Sequence, residues 1–427
     1  MKILITNYTG YRSNWGSQAT SRGLIQFLKE IWSHKTELEI DILPYPPTHI
    51  LDHFHELTQG AVIEKILSKE QPTKREIEII NKLCRSRFGS AINRIQTADL
   101  VVFQGEGSLG TGREFNRCQI FGPSFLAKYA FDKPIVSINQ TISYRDKRDG
   151  DKLANIFKIF DQNYARESAS LIATQGSNWP KFNLIPDAAF FYKPITTFNY
   201  SMDEFKRPYF CITGSANLQS YDLETYCNAI SFIAKQKKLM PVFMYSRSSD
   251  KKMVDVFRKI NTDFEIISSK SHADVDSILP ILERAHFVIG GRYHTSISSL
   301  SCGTPVILTP SNSKKSKGLQ DLIGADNVAL LTNPNRDSIQ REVDTILSEG
   351  VARRTRINQS VRLLNQLSIN NSKNLMNLIV NTKNKETSDF IVTEPNPILP
   401  TLNVCDLLLR TLSVRRNIKH YDREEFS

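Results

Sequence analysis

The chain has 427 residues, 40% of them hydrophobic and 23% charged, with 55 basic against 44 acidic side chains and a net charge of +11. That length exceeds what one hydrophobic core usually serves and predicts two or three domains, while the ordinary composition excludes wholesale disorder. No apolar run approaches the ~18 residues of a membrane span.

The surplus of cations suits an anionic partner, but it is spread along the chain without a nucleic-acid motif, so no nucleic-acid partner is expected. The opening MKILITNYTG has too short an apolar stretch for a secretory signal, which predicts a cytoplasmic protein.

In chain order, KILITN reads as a strand, YTGYRSNWGS as a loop, and the segment carrying Leu24, Ile25, Leu28 and Ile31 as a helix. ELEIDILPY is a second strand, completing the β–loop–α–β start of a parallel sheet. Residues 60–96 have helical spacing at Ile77, Ile80 and Leu83. DLVVFQGEGS is a bare apolar strand, and a helix is expected from Pro123 to Phe131. KPIVSINQTIS, QNYAR and FNLIPDAAFF add strands. Near-continuous apolar strands alternating with helices predict a sheet buried on both faces.

Periodicity lapses between Lys193 and Pro208 and then restarts. Strands PYFCITGS, LMPVFMYSR, FEIIS, HFVIGG and TPVILTP alternate with helices over 223–237, 251–261, 275–284 and 295–302. The reading is therefore α/β, with two doubly wound Rossmann-like domains of the glycosyltransferase-B-like architecture and a C-terminal helical segment. Its bounds are 1–200 for the first domain, 207–330 for the second, 335–381 for helices packing back, and 382–427 for a linker and tail.

Six cysteines form no C-x-x-C pair and read as free thiols. His49, His53 and His55 cluster without a second ligand group at a recognised spacing, so no metal site is expected.

Ligands of open α/β sheets sit beyond the strands' carboxyl ends, and the residues there are the candidates. Asn14 to Gln18 open a helix and could hold an anion, or form an ordinary turn. Gly105, Gly107, Ser108 and Gly110 surround Glu106, which reads either as an acid, base or hydroxyl-orienting group or as a solvated turn residue. Arg166 follows a short strand and either serves a cleft or pairs with a structural carboxylate. The strongest segment is HFVIGGRYHTSISSLSCGTPVILTPSNSKKSKGL. There Gly290 and Gly291 end a strand, and Arg292, Tyr293 and His294 sit at the strand end just before a small-residue helix. Arginine offers a planar fork for phosphate or carboxylate, and histidine suits proton transfer near neutrality.

From Met1 to about Asn381 the chain resembles the polysaccharide pyruvyl transferases. The resemblance rests on GGRYH followed by GTPV and a lysine-rich loop, on QGEGSL, PIVSINQTIS and ARES, and on Pro186-Asp187. It implies transfer of pyruvate from phosphoenolpyruvate to two sugar hydroxyls as a cyclic ketal. It also implies that Arg166, Arg292 and His294 bind the donor. On this reading the first domain is the acceptor side and the second the donor side. His294 and Glu106 are the catalytic candidates, and Arg166, Arg292, Tyr293, Gly105, Gly107, Asn14 and Lys317 bind substrate. No cofactor is expected, since phosphoenolpyruvate is itself the donor substrate. Many members open with a G-N-x-G-D-like loop; here SNWGSQA lacks the Asp, and the acceptor sugar stays unnamed. A nucleotide-sugar glycosyltransferase and a non-catalytic carbohydrate-binding relative are the alternative readings.

After Asn381 the chain becomes polar and then proline-rich. It ends with leucines at 402, 407, 408, 409 and 412 and cations at Arg410, Arg415, Arg416 and Lys419. This tail reads either as a helix docked on the domains or as a peripheral contact with anionic lipid, the latter suiting a lipid-linked acceptor.

Overall fold

The computed structural model describes residues 1–32, 37–46, 50–107, 117–144, 146–176, 178–194, 205, 207–215, 222–246, 248–311 and 313–375, the side chains of 50–58 and 117 excepted. The first half runs β1 (Lys2–Tyr8), α1 (Trp15–Trp32), β2 (Glu39–Pro44), α2 (Ile50–Leu67), α3 (Lys74–Phe88), α4 (Arg94–Thr97), β3 (Leu100–Gln104), α5 (Arg117–Tyr129), β4 (Ile135–Gln140), α6 (Lys147–Phe157), β5 (Gln162–Ala165), α7 (Ser168–Ala173) and β6 (Phe182–Leu184). A 3-10 turn, Ala188–Phe191, closes it. The second half runs β7 (Tyr209–Thr213), α8 (Leu223–Lys237), β8 (Met240–Tyr245), α9 (Lys251–Ile260), β9 (Glu265–Ser268), α10 (Leu279–Arg284), β10 (Val288–Gly290), α11 (Tyr293–Ser301), β11 (Val306–Leu308), α12 (Lys315–Ile323), β12 (Val328–Leu330), α13 (Arg336–Glu349) and α14 (Val351–Asn371).

The strands form two parallel sheets of six, in the orders β2-β1-β3-β4-β5-β6 and β12-β11-β10-β7-β8-β9. The two doubly wound domains expected from the sequence are thus present. Central strands such as LVVFQ and YFCIT are buried along their whole length, because helices cover both faces. Chain order reverses between β1 and β3 in one sheet and between β7 and β10 in the other. Those two switch points are where crevices open beyond the strand ends.

Apolar packing joins the halves. Trp15 and Ala19 of α1, with Phe190 and Tyr192, share one buried cluster with Val242, Met244, Val288 and Ile297. Polar contacts reinforce it. Trp15 Nε1 donates to the His272 carbonyl (2.6 Å), and Gln18 Nε2 donates to the Ala273 carbonyl (2.8 Å). The Arg22 guanidinium meets both Asp274 oxygens at 2.8 and 2.7 Å. α14 also spans both halves. Ile357, Val361 and Leu364 join the second domain's core, while Asn371 Nδ2 donates to the Leu184 carbonyl (2.6 Å).

Several elements differ from the sequence reading. FNLIPDAAFF is a strand only over Phe182–Leu184, since Asp187 caps a 3-10 turn, Ala188–Phe191, by accepting from Ala189 N. α5 starts at Arg117 and carries Pro123 inside it instead of opening with it. The expected helix over 275–284 is a 3-10 turn, Val275–Ser277, followed by α10, because Pro280 lacks the N–H needed to extend a preceding helix and instead fits a first turn. α11 begins at Tyr293, not Thr295, since Arg292 takes the extended N-cap conformation (φ −82°, ψ 99°) directly after the glycine turn. Most of 193–208 and all of 376–427 lie outside the described residues, as do the side chains of His49, His53 and His55. Of the cysteines, Cys84, Cys118, Cys211, Cys227 and Cys302 are free thiols, and burial pushes the Cys302 thiol up to about 12. Among the described residues no helix is long and apolar enough to cross a membrane.

Candidate active site

The first switch point is built around Glu106. Three neighbouring strands, β1, β3 and β4, end with non-glycine residues at positive φ: Asn7 (58°), Glu106 (44°) and Asn139 (66°). Positive-φ residues gathered at the carboxyl ends of three adjacent strands mark this end of the sheet as a candidate site. The Glu106 carboxylate is buried and ringed by donors. Thr9 Oγ1 and Gln104 Nε2 (2.7 Å) donate to Oε1, and Ser17 Oγ donates to Oε2 at 3.3 Å. Asn14 caps α1, its Oδ1 accepting from Ser17 N at 3.1 Å, so the first turn of α1 is fixed against this carboxylate. Gly105 allows Gln140 to pack closely, since a Cβ there would overlap the Gln140 side chain; Gly107 is exposed. Ser108 and Gly110 lie outside the described residues.

A second cluster forms where the domains meet. Arg166, 1% exposed, donates from Nη1 to Asp187 Oδ2 (2.9 Å) and from Nε to Thr141 Oγ1 (2.8 Å). Its Nη1 also lies 3.1 Å from His294 Nε2, which is 3.4 Å from Asp187 Oδ2. Thr20 Oγ1 and Ala189 N complete the Asp187 shell at 3.1 and 2.9 Å. His294 reaches across from α11, and Gly16 of α1 makes room for it: a Cβ there would lie 2.5 Å from His294 Nδ1. The Tyr293 ring lies under the Arg166 guanidinium, 4.7 Å from centroid to carbon, with Lys315 Nζ 5.9 Å from the same centroid.

Electrostatics follow from this burial. Desolvation works to raise the Asp187 carboxyl, but Arg166 and His294 overcome it and hold it well below the usual carboxylate range. Glu167 goes the other way. Its burial raises the carboxyl against the opposing pull of Arg166 and Ser170, and its Oε2 has no hydrogen-bond partner. The Tyr293 hydroxyl is likewise buried and unpartnered, with its pKa pushed up by desolvation.

The second switch point holds Arg292. Its Nε donates to Asp250 Oδ1 (3.1 Å) and its Nη2 to Asp250 Oδ1 and Ser249 Oγ (2.8 Å for the latter). Arg292 N donates to Thr213 Oγ1 at 3.3 Å. As N-cap of α11 it makes no side-chain cap, so the leading N–H groups of that helix stay available to an anion.

Arg166, Tyr293 and His294 are therefore in mutual contact, and Arg292 flanks them on α11. Glu106 and Asn14 lie on the other side of the first turn of α1. Lys317 is not in this group; its amine bonds to Asp321 (2.7 Å) and Gln320 (3.1 Å) on its own helix and is 56% exposed. Lys315, two residues earlier, is the lysine that turns to Tyr293. The sequence reading passed over Asp187, Thr141, Glu167, Asp250 and Lys315 as site residues. Asp187 had a signal in the Pro186-Asp187 pair, whereas a lysine two positions along a helix changes faces without leaving any mark in composition. Among the described residues no group of three or more His, Cys, Asp and Glu could hold a metal ion.

The sequence model of the family described as polysaccharide pyruvyl transferase matches residues 14–313. No curated protein matches the chain. In fold it is similar to a UDP-GlcNAc 2-epimerase from Neisseria meningitidis bound to UDP-GlcNAc, with 13% identity, a TM-score of 0.53, and 90% of this chain and 100% of that chain covered. It is also similar to a glycosyltransferase from Rickettsia africae ESF-5, with 13% identity, a TM-score of 0.52, and 90% and 99% covered. At such identities these likenesses show the architecture, that of glycosyltransferase-B-like proteins.

Proposed function

Because the chain belongs to the polysaccharide pyruvyl transferase family and is a transferase, we propose that its donor is phosphoenolpyruvate and that it builds a cyclic pyruvate ketal on two hydroxyls of one sugar, in a glycan or glycan precursor. The observation that carries this reading is the first turn of α11. Its uncapped N–H groups are flanked by Arg292 on one side and by His294 and Arg166 on the other. A helix N-terminus with guanidinium groups beside it suits a small molecule bearing both phosphate and carboxylate.

The chemistry assigns work to these residues. A proton goes to the methylene carbon of the donor, leaving an oxocarbenium-like centre at C2. A sugar hydroxyl attacks C2 and gives up its proton. Phosphate leaves with the electrons of its C–O bond, and a second hydroxyl closes the ketal as its proton passes to a base or to the phosphate. His294, on the donor-side helix, is the proposed proton carrier for the donor. Glu106 already accepts from the hydroxyls of Thr9 and Ser17, the same kind of donor that a sugar presents, and is the proposed base for the acceptor. Lys315 and Tyr293 border the same cluster and are proposed to line the donor site. No cofactor enters this scheme.

On this reading the enzyme works in the cytoplasm in polysaccharide biosynthesis, and the cationic, leucine-bearing tail brings it to a lipid-linked acceptor at the membrane surface. The test is incubation with phosphoenolpyruvate and a panel of glycans while phosphate release is followed, with the product mass recording the added ketal. Acceptor-dependent phosphate release supports the proposal. Binding of a nucleotide sugar, with phosphoenolpyruvate left intact across the panel, would overturn it in favour of sugar transfer.

A further inference from the structure

The two arginines beside α11 are held in different ways. Arg166 is locked in the domain interface by Asp187 and Thr141. Arg292 is held within the second domain by one carboxylate, Asp250, which is 2% exposed and lies outside the sequence motifs discussed above. Asp250 Oδ1 accepts from both Nε and Nη2 of Arg292, while Oδ2 accepts from Ser246 N (3.1 Å) and Ser246 Oγ (3.2 Å). The carboxylate is thus anchored on one oxygen and presents the other to the guanidinium. Gly214 at the end of β7 is what allows this, because a Cβ there would overlap Asp250 Oδ1. The Nε/Nη2 edge of Arg292 is consumed by this pairing, with Ser249 Oγ taking a further Nη2 bond. Nη1 has no hydrogen-bond partner among the described residues.

We propose that Asp250 is a positioning residue for the donor site: by fixing the Nε/Nη2 edge of Arg292 it aims Nη1 at the anion held by the first turn of α11. This rests on the donor reading given above. Asp250 itself touches no substrate. It sets the orientation of a side chain whose flexible stem would otherwise let the guanidinium wander, and misplacement of a binding group by about 1 Å can lower rates ~10²-fold. The same carboxylate offsets the arginine's charge, so that Arg292 meets the donor mainly as an aimed hydrogen-bond donor.

A double-mutant cycle tests this. Phosphoenolpyruvate binding is measured by calorimetry for the parent, Asp250→Ala, Arg292→Ala and the double variant, with unfolding midpoints recorded in parallel. The expected result is a loss of ~10- to 100-fold in affinity for Asp250→Ala and no further loss when it is added to Arg292→Ala. Asp250→Asn, which keeps an oxygen towards Arg292, should lose less than Asp250→Ala; it also carries the test if the alanine variant does not fold. Losses that simply add in the double variant would show that Asp250 acts through the fold and not through Arg292, which overturns the proposal. Parent-like affinity in Asp250→Ala, or a loss in Asp250→Asn that adds to that of Arg292→Ala, overturns the positioning role alone when the parent binds well. A parent that binds no phosphoenolpyruvate removes the donor reading and this proposal with it.

Discussion

His294 is the side chain on which the domains converge, with Arg166 and Asp187 at its Nε2 and Gly16 against its ring. His294→Ala should lower turnover by roughly 10²- to 10⁴-fold while donor affinity changes less, read from steady-state kinetics and calorimetry together. Near-parental turnover would make His294 a packing residue. The buried carboxyls nearby predict opposite pH effects. Asp187 is held low, so its contribution to stability is present above the unfolded-state value of ~3.9 and is lost as pH falls through its folded value. Glu167 is held high, so above ~4.3 the folded chain binds more protons than the unfolded one and stability falls as pH rises. Glu167→Gln removes that penalty. Denaturant unfolding should therefore show the variant gaining stability over the parent as the pH is raised from about 4 to 8; a pH-independent difference would refute the assignment. The type of each key residue was legible in the motifs. That Arg166 is buried beside Asp187 was not, because 21 positions separate them and only the β5–β6 pairing brings them together.

Packing of α1 against α11 links the two halves of the proposed reaction, because Gly16 touches His294 and its neighbour Ser17 bonds to Glu106. Leu24, Leu28 and Ile31 made the helix itself readable, since apolar spacing records the face turned to its own sheet. The first two turns face the other domain through Trp15, Gln18, Ala19 and Arg22, and so short and mixed a contact face leaves no periodic trace. Gly16→Ala should press a methyl group into His294 and separate the helices, with a stability loss of about 1–3 kcal/mol. Turnover should fall at least ~10-fold with the imidazole displaced. Thermal unfolding and kcat together decide it: an unchanged kcat would mean that the interface has slack to absorb the methyl group.

For the molecule as a whole, the proposed membrane contact rests on the net charge of +11 and on the composition of the tail after Asn381. The four cations between Arg410 and Lys419 each add about 1 kcal/mol near an anionic surface. The full chain should sediment with anionic vesicles at low salt and release them as salt rises, whereas a form cut after Thr393 should stay in the supernatant. Failure of the full chain to bind would make the tail a packing element or a free end.

Periodicity fixed what is local. Strands such as LVVFQ and YFCIT are apolar along their whole length because parallel strands between two helix layers must be, and this was enough to establish two doubly wound domains and the strand ends where a site belongs. The glycine turn before Arg292 marked the strongest of those ends, since close backbone approach requires glycine whatever the rest of the fold does. Partnerships between residues far apart in sequence were decided only by the tertiary structure: Arg166 with Asp187 and His294, Arg292 with Asp250, and Lys315 rather than Lys317 towards Tyr293. Side-chain type records what a residue can bond to, whereas the choice among possible partners is made by the packing of α1, α11 and α12 across two sheets. No local stretch of sequence carries that information.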